Sequence, residues 1–566
     1  MNNEKIEKLL QEMTLKEKIA QLQCVYTMEM EQADRIRDEG IGFMGVIRMP
    51  LPQNARQEVE ALNCLQQRII DETRLGIPAL IHNEALHGLV AGKATSFPQA
   101  IGLASMWNTN LMQRVSEAIA KECIGRGIRQ VLSPNLDLAR DVRWGRVAET
   151  YGEDPYLVSR MGVCFCKAFE EAGVVTTPKH FVANSGDGGR DSVDVPYSER
   201  HMREYYFKPY QACIKEAGSR AIMVSYNSWN SIPNVINPML LKTILREEWG
   251  FNGIVVTDYG LMGKLWNNFS VVNNQKDAAA KALYAGVDAD FPTINEDSAY
   301  QLLEYAILEG LVSEKALDDS VLRILNLKND LGLFENPFVD TEHAMTLINN
   351  KEHIQLALEA ARQSIVLLKN EENTLPLKNV KQITIMGPDV DTAKLGDYSG
   401  WHMETVSIPQ GLKNRCGKDV SIHSFNVGNN GGKLFEPVPG EYLVTHIDGK
   451  MQQGMCAQYF SNPKLEGEAA VSQMEAGVSF TWDKASDAIL DVCAPCRPVS
   501  IRWTGVLVAA KTGECTLAVD AFGSKRLYVN GKKLIDRWND PTVGRETASV
   551  WMNEGENYEI IVEYGT

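Results

Sequence analysis

The chain has 566 residues, too many for one hydrophobic core, so several domains are expected. Hydrophobic residues make up 44% and charged residues 23%, the balance of a soluble globular protein, and no apolar run approaches a membrane span. Its 73 acidic residues outweigh 57 basic ones for a net charge of -16, which argues against nucleic acid as a partner and suits a neutral substrate such as a sugar.

The N-terminus, Met1-Asn2-Asn3-Glu4-Lys5-Ile6, has no apolar signal-peptide core, so the chain as given is expected to be cytoplasmic or to have lost a leader. Thr14-Leu15-Lys16-Glu17 is a capping box that starts a helix through Ile19, Ala20 and Leu22. An α/β rhythm follows. Strands are expected over 40–47, 77–81, 130–138, 173–177 and 221–224, then at Ile254-Val255-Val256. Helical periodicity lies between them, as over 203–216 and 240–249, and Asn108 is placed to cap a helix through Leu111, Val115 and Ile119. Strands alternating with helices over about 250 residues predict a TIM-like (β/α) barrel.

The polar residues favour one rim of that barrel. Glu84, Lys179, His180, Tyr226, Asp258 and Asp290 all fall at or just past the C-terminal ends of expected strands. Barrel enzymes build their sites on that face. Asp258 follows a wholly apolar strand, and Gly260 lets the chain turn away. An Asp there is a candidate nucleophile or base, and equally a cap for the next helix.

Residues 1–336 are thus expected to form the barrel, and 337–350 a linker. A second α/β segment, 351–448, is expected to open with a helix over 356–368 and a strand over 382–386. From 449 to 566 short alternating runs separated by Gly, Asn and Asp predict an all-β module, with Asn530-Gly531 as a hairpin turn. The eleven cysteines are scattered and form no spaced disulfide framework. Cys493-Ala494-Pro495-Cys496 stands without the second ligand pair that zinc needs, so no metal and no cofactor is expected.

Several motifs, in order, resemble glycoside hydrolase family three, the β-glucosidase and β-xylosidase family. They are Met13-Thr14-Leu15-Lys16-Glu17-Lys18, Glu84-Ala85-Leu86-His87-Gly88, the run from Arg140 to Arg146, Lys179-His180-Phe181, Ser225-Tyr226-Asn227 and Thr257-Asp258-Tyr259. The stretch from Ser364 to Leu377 is similar to the family's entry into an α/β-sandwich domain. The resemblance implies that Asp258 is the catalytic nucleophile. It implies that Glu84, Arg146, Lys179, His180 and Tyr226 hold the hydroxyls of the departing sugar, with Met223 on the wall. A neutral polyol does need carboxylate acceptors and Arg, Lys and His donors held rigidly. Of the three arginines Arg140, Arg143 and Arg146, at least one is expected to pair with Asp137, Asp141 or Glu149, while His87 and Trp144 are expected to pack.

The sequence also departs from one branch of the family. After Lys179-His180-Phe181 it reads Val182-Ala183-Asn184-Ser185, without the His-bearing loop of the N-acetylglucosaminidases. The general acid is therefore expected to be a carboxylic acid from the second domain. Glu84 stands where glucosidases commonly carry Asp, which tilts the expectation toward a pentose. The β module resembles the protective-antigen-type domain, through Arg502-Trp503-Thr504-Gly505 and Leu527-Tyr528-Val529-Asn530-Gly531. Inserted there, it implies that the chain is truncated before the general acid. The expected function is an exo-acting retaining β-glycosidase acting on terminal β-D-glucosyl or β-D-xylosyl residues of oligosaccharides or of aryl and alkyl glycosides. The alternative is a non-hydrolytic carbohydrate-binding fragment. Neither nucleic acid nor a membrane is an expected partner. Glucose against xylose, the linkage and homo-oligomerisation stay open.

Overall fold

The computed structural model describes residues 3–26, 38–46, 55–184, 193–293, 296–388, 390–401, 403–427, 438–447, 450–478, 489 and 499–565. It divides into two compact units. The first comprises Met1–Met49, Asn54–Lys381 and Thr392–Ser407.

In the first unit, β1 (Cys24–Tyr26), β2 (Phe43–Gly45), β3 (Leu80–Asn83), β4 (Gln130–Val131) and β5 (Val175–Thr176) form a parallel sheet in sequential order. β6 (Ala221–Val224) pairs in parallel with β7 (Ile254–Thr257), with Met223 opposite Val256. Single parallel bridges join Phe181 to Val224, Val256 to Ala289 and Gln23 to Asp290. Parallel neighbours require crossovers, and the helices supply them: α1 (Ala55–Glu72), α2 (Thr109–Gly125), α3 (Pro155–Glu171) and α4 (Phe207–Ala217) each lie between strands. The caps foreseen from sequence are present. The Thr14 hydroxyl accepts from Glu17 N–H while the Glu17 carboxylate accepts from Thr14 N–H, and Asn108 accepts from Leu111 N–H.

β7 forms because Ile254, Val255 and Val256 are all fully buried. Such burial is worth roughly 1.5–3 kcal/mol per side chain. Gly253 precedes them because a Cβ there would lie 2.1 Å from the Arg220 carbonyl oxygen. The strand expected over 130–138 pairs as a ladder only at Gln130–Val131. Pro134 has no N–H to continue it. The chain then rejoins its neighbour by a bridge from Asn135 to Lys179. The helix expected over 356–368 is instead α5 (Lys351–Gln363), and Ile365, Val366, Leu367 and Leu368 beyond it are exposed. Apolar residues at helical spacing and at strand spacing cannot be told apart over so short a run.

The second unit holds Pro50–Gln53, Gln382–Asp391 and Ile408–Thr566. β8 (Gln382–Gly387) and β9 (Ser421–Asn426) pair in parallel on either side of the helix Ile408–Cys416. An eight-stranded sheet with antiparallel pairing follows, beginning at β10 (Leu443–Ile447), a few residues earlier than expected. Its core gathers Met455, Tyr459, Ile501, Trp503, Leu527, Ile560 and Val562. Asn530 and Gly531, at φ 47° and 74°, make the foreseen hairpin, with Val529 opposite Lys532. The run 479–482 and the cysteine pair at 493–496 lie outside the described residues. No helix among the described residues is long and apolar enough to cross a membrane.

Candidate active site

Asp258 follows β7 directly and is buried. Its Oδ1 accepts the Tyr259 N–H at 2.8 Å. Gly260, with φ +66°, turns the chain into the helix Leu261–Asn267, which has no side-chain cap. Asp258 is therefore not spent on capping that helix. Burial raises its carboxyl above the ordinary range, while Lys179, Arg146, the Tyr259 amide and the Tyr226 phenol pull it back.

Glu84 extends from the end of β3, and Lys179 lies three residues past β5. The Lys179 ammonium donates to Glu84 Oε1 at 2.6 Å, and both residues are buried. Burial pushes the Glu84 carboxyl up to about 7 against the pull of Lys179. Burial opposes the Lys179 charge, but Glu84, Tyr398 and Glu149 together outweigh it and hold the ammonium above its ordinary value. Within this pair Glu84 is the member that titrates near neutrality.

Arg146 grips Glu149 in a bidentate pair, Nε to Oε1 and Nη2 to Oε2, each at 2.7 Å. Burial opposes the guanidinium charge and Glu149 more than restores it. Arg143 pairs with Asp141 at 2.6 Å. Asp137 instead meets His180, whose Nδ1 lies 2.7 Å from its Oδ2. His180 Nε2 faces Asp258 Oδ2 at 3.5 Å. The Tyr226 hydroxyl donates to the Tyr259 carbonyl at 2.7 Å. Met223 sits in β6 opposite Val256, one layer below Asp258 by strand alternation.

The structure thus brings Glu84, Lys179, Arg146, His180 and Tyr226 into one electrostatic neighbourhood around Asp258. Asp290 does not join it. Its carboxylate accepts from Ser298 at 2.8 Å and Ala299 N–H at 2.7 Å, a local structural task. His87 bonds the carbonyls of Phe97 and Asp397, each at 3.0 Å, and Trp144 is buried.

One neighbour was given no role from sequence. Tyr398 lies with the Lys179 ammonium 4.8 Å over its ring and its hydroxyl 3.4 Å from Arg146 Nη2. It comes from Gly396-Asp397-Tyr398-Ser399-Gly400, more than 200 residues after Lys179 in the sequence. An aromatic flanked by glycines was the available signal, and nothing local ties it to the barrel. The contact of His87 with Asp397 and a bond from Lys93 N–H to the Trp401 carbonyl at 2.7 Å hold that segment.

The model of the glycosyl hydrolase family 3 N-terminal domain matches residues 14–327. This chain belongs to glycosyl hydrolase family 3. A PA14 domain matches residues 451–566. The chain is similar to a β-xylosidase of Formosa agariphila, 39% identical over 381 residues, which are 62% of this chain and 52% of that protein. It is also similar to a periplasmic β-glucosidase of Salmonella typhimurium, 34% identical over 73% of this chain and 54% of that one. The chain therefore spans about half the length of these two family 3 relatives. In fold it is like a β-glucosidase structure from Erythrobacter marinus, with a TM-score of 0.71 at 21% identity, covering 100% of this chain and 93% of that one. The first unit alternates parallel strands with helices, and the C-terminal region is β-rich.

Proposed function

We propose that this protein is an exo-acting retaining β-glycosidase that removes terminal β-D-glucosyl or β-D-xylosyl residues from oligosaccharides or from aryl and alkyl glycosides. The observation that carries the reading is Asp258: a buried carboxylate at a strand end, faced by His180 Nε2 at 3.5 Å and free of helix capping. An Asp258 oxygen attacks the anomeric carbon as the bond to the leaving oxygen breaks, and water then cleaves the glycosyl ester. Glu84, Arg146, Lys179, His180 and Tyr226 hold the sugar hydroxyls, and Met223 lies beneath. Cations near Asp258 favour its ionised form, which a nucleophile needs.

Protonation of the leaving oxygen falls to another carboxylic acid. Glu84, Glu149 and Asp137 are each engaged, with Lys179, Arg146 and His180. We assign the acid to the α/β-sandwich domain whose parallel pair β8–β9 lies in the second unit. The parallel pair β8–β9, flanking the helix Ile408–Cys416 in the chain, supports an α/β arrangement for that domain. In this reading the PA14 domain is the protective-antigen-type module, inserted in that sandwich. The first unit is read as a closed barrel, supported by the bridges from Phe181 to Val224, Val256 to Ala289 and Gln23 to Asp290.

Treatment with a 2-fluoro glycoside carrying a dinitrophenyl leaving group tests the reading, because such a group needs little protonation. Mass spectrometry should find a glycosyl adduct on the peptide containing Asp258. No adduct, together with undiminished sugar binding by Asp258→Ala, would leave only a carbohydrate-binding protein.

A further inference from the structure

The His180 ring stands between two carboxylates. Asp137 Oδ2 is 2.7 Å from Nδ1, and Asp258 Oδ2 is 3.5 Å from Nε2. A neutral imidazole has one N–H and one lone pair. Either neutral tautomer would turn that lone pair toward a carboxylate oxygen. A ring with protons on both nitrogens offers an N–H to each. We infer that Asp137 is a positioning residue: it binds the Nδ1 proton of His180 and thereby keeps a second proton on Nε2, facing Asp258. This rests on the glycosidase reading above and adds to it the group that sets the charge of His180.

The geometry fits such a role. Asp137 Oδ1 accepts Asn184 N–H at 3.3 Å, its Oδ2 also accepts His180 N–H at 3.4 Å, and its own N–H donates to Asn135 at 2.9 Å. The Tyr210 hydroxyl fixes the His180 carbonyl at 2.9 Å. A parallel bridge from Asn135 to Lys179 sets the two segments in register, so Asp137 comes beside His180. The other charged groups act on the carboxylates. Arg146 favours ionisation of both Asp137 and Asp258, Lys179 that of Asp258, and Glu149 opposes that of Asp137. Burial pushes the Asp137 carboxyl up to about 7. A proton shared between Asp137 and Nδ1 leaves the Nε2 proton in place, so Asp258 meets an N–H in either case.

Asn at 137 keeps the shape and an acceptor oxygen but removes the charge. The rate of Asp258 trapping by the dinitrophenyl 2-fluoro glycoside is measured against pH for wild type, Asp137→Asn and Asp137→Glu. The alkaline limb should move down by at least about 1 pH unit in Asp137→Asn, a tenfold change in proton affinity, and return toward wild type in Asp137→Glu. Nitrogen NMR of histidine-labelled protein, assigned with His180→Gln, gives a second readout. Nε2 of His180 should be protonated at neutral pH in wild type and should lose its proton in Asp137→Asn. An unchanged alkaline limb, or a wild-type His180 whose Nε2 is unprotonated at neutral pH, overturns the inference. If Asp137→Asn does not fold, the wild-type nitrogen signals decide it alone. Failure to trap wild-type protein counts against the glycosidase reading, while the nitrogen signals still decide the role of Asp137.

Discussion

Lys179→Met tests how far the site depends on its buried charges. The thioether keeps most of the side chain's volume, so the loss is mainly electrostatic. In the folded protein the ammonium lies 2.6 Å from Glu84 Oε1, with both groups out of water. Unit charges about 4 Å apart interact by ~4 kcal/mol at an effective dielectric near 20. Breaking a buried pair from one side costs ~3–5 kcal/mol. The sign of the pH dependence follows from Glu84. Its folded value, about 7 with Lys179 present, is above the reference 4.5 and rises further without the ammonium. The folded variant then binds a proton that the unfolded chain releases, so its stability falls as pH climbs from 4.5 through the raised value. Urea unfolding should show a deficit against wild type that is small near about pH 5 and widens above about pH 7, reaching a further ~1.4 kcal/mol near about pH 8. Adding Glu84→Gln to Lys179→Met should recover much of that loss, because the unpaired carboxylate is gone. An equal deficit at both pH values, or a double variant no more stable than the single one, would refute the reasoning.

Glu84→Asp withdraws the carboxylate by one methylene, which is worth about 1–3 kcal/mol in a pocket. The ratio of p-nitrophenyl β-glucoside to β-xyloside turnover should rise, and an unchanged ratio removes the pentose argument. Lys328 on the helix Glu314–Asp330 is fully buried, donates to Gln21 Oε1 at 2.7 Å, and burial lowers its ammonium from 10.5 to about 7. The unfolded chain binds more protons between those values, so Lys328 costs stability below about 7 and the cost fades as pH rises toward 10.5. Lys328→Met should raise the unfolding midpoint most at neutral and acid pH, and a midpoint gain that grows with pH would contradict this.

Sequence alone determined which side chains stand at strand ends, because strand length and turn chemistry are local. Apolar Ile254-Val255-Val256 had to be buried as a strand, and Asp258 had to follow it. The Thr14 and Asn108 caps were legible for the same reason: each spans three residues. Pairing among the charges was not legible. From the sequence Asp137 is a partner for Arg140, Arg143 or Arg146, and nothing local ties it to His180. Only the register between the segments after β4 and β5 gave it to His180. Tyr398 was further out of reach, since no periodicity links residue 398 to Lys179. Nor could sequence separate a capping Asp258 from one held in a field of cations. That depended on Lys179, Arg146 and His180 converging from distant segments, and long-range electrostatics is a property of the folded arrangement. Local propensity fixes where a carboxylate leaves its strand, whereas burial and the charges gathered around it decide what that carboxylate can do.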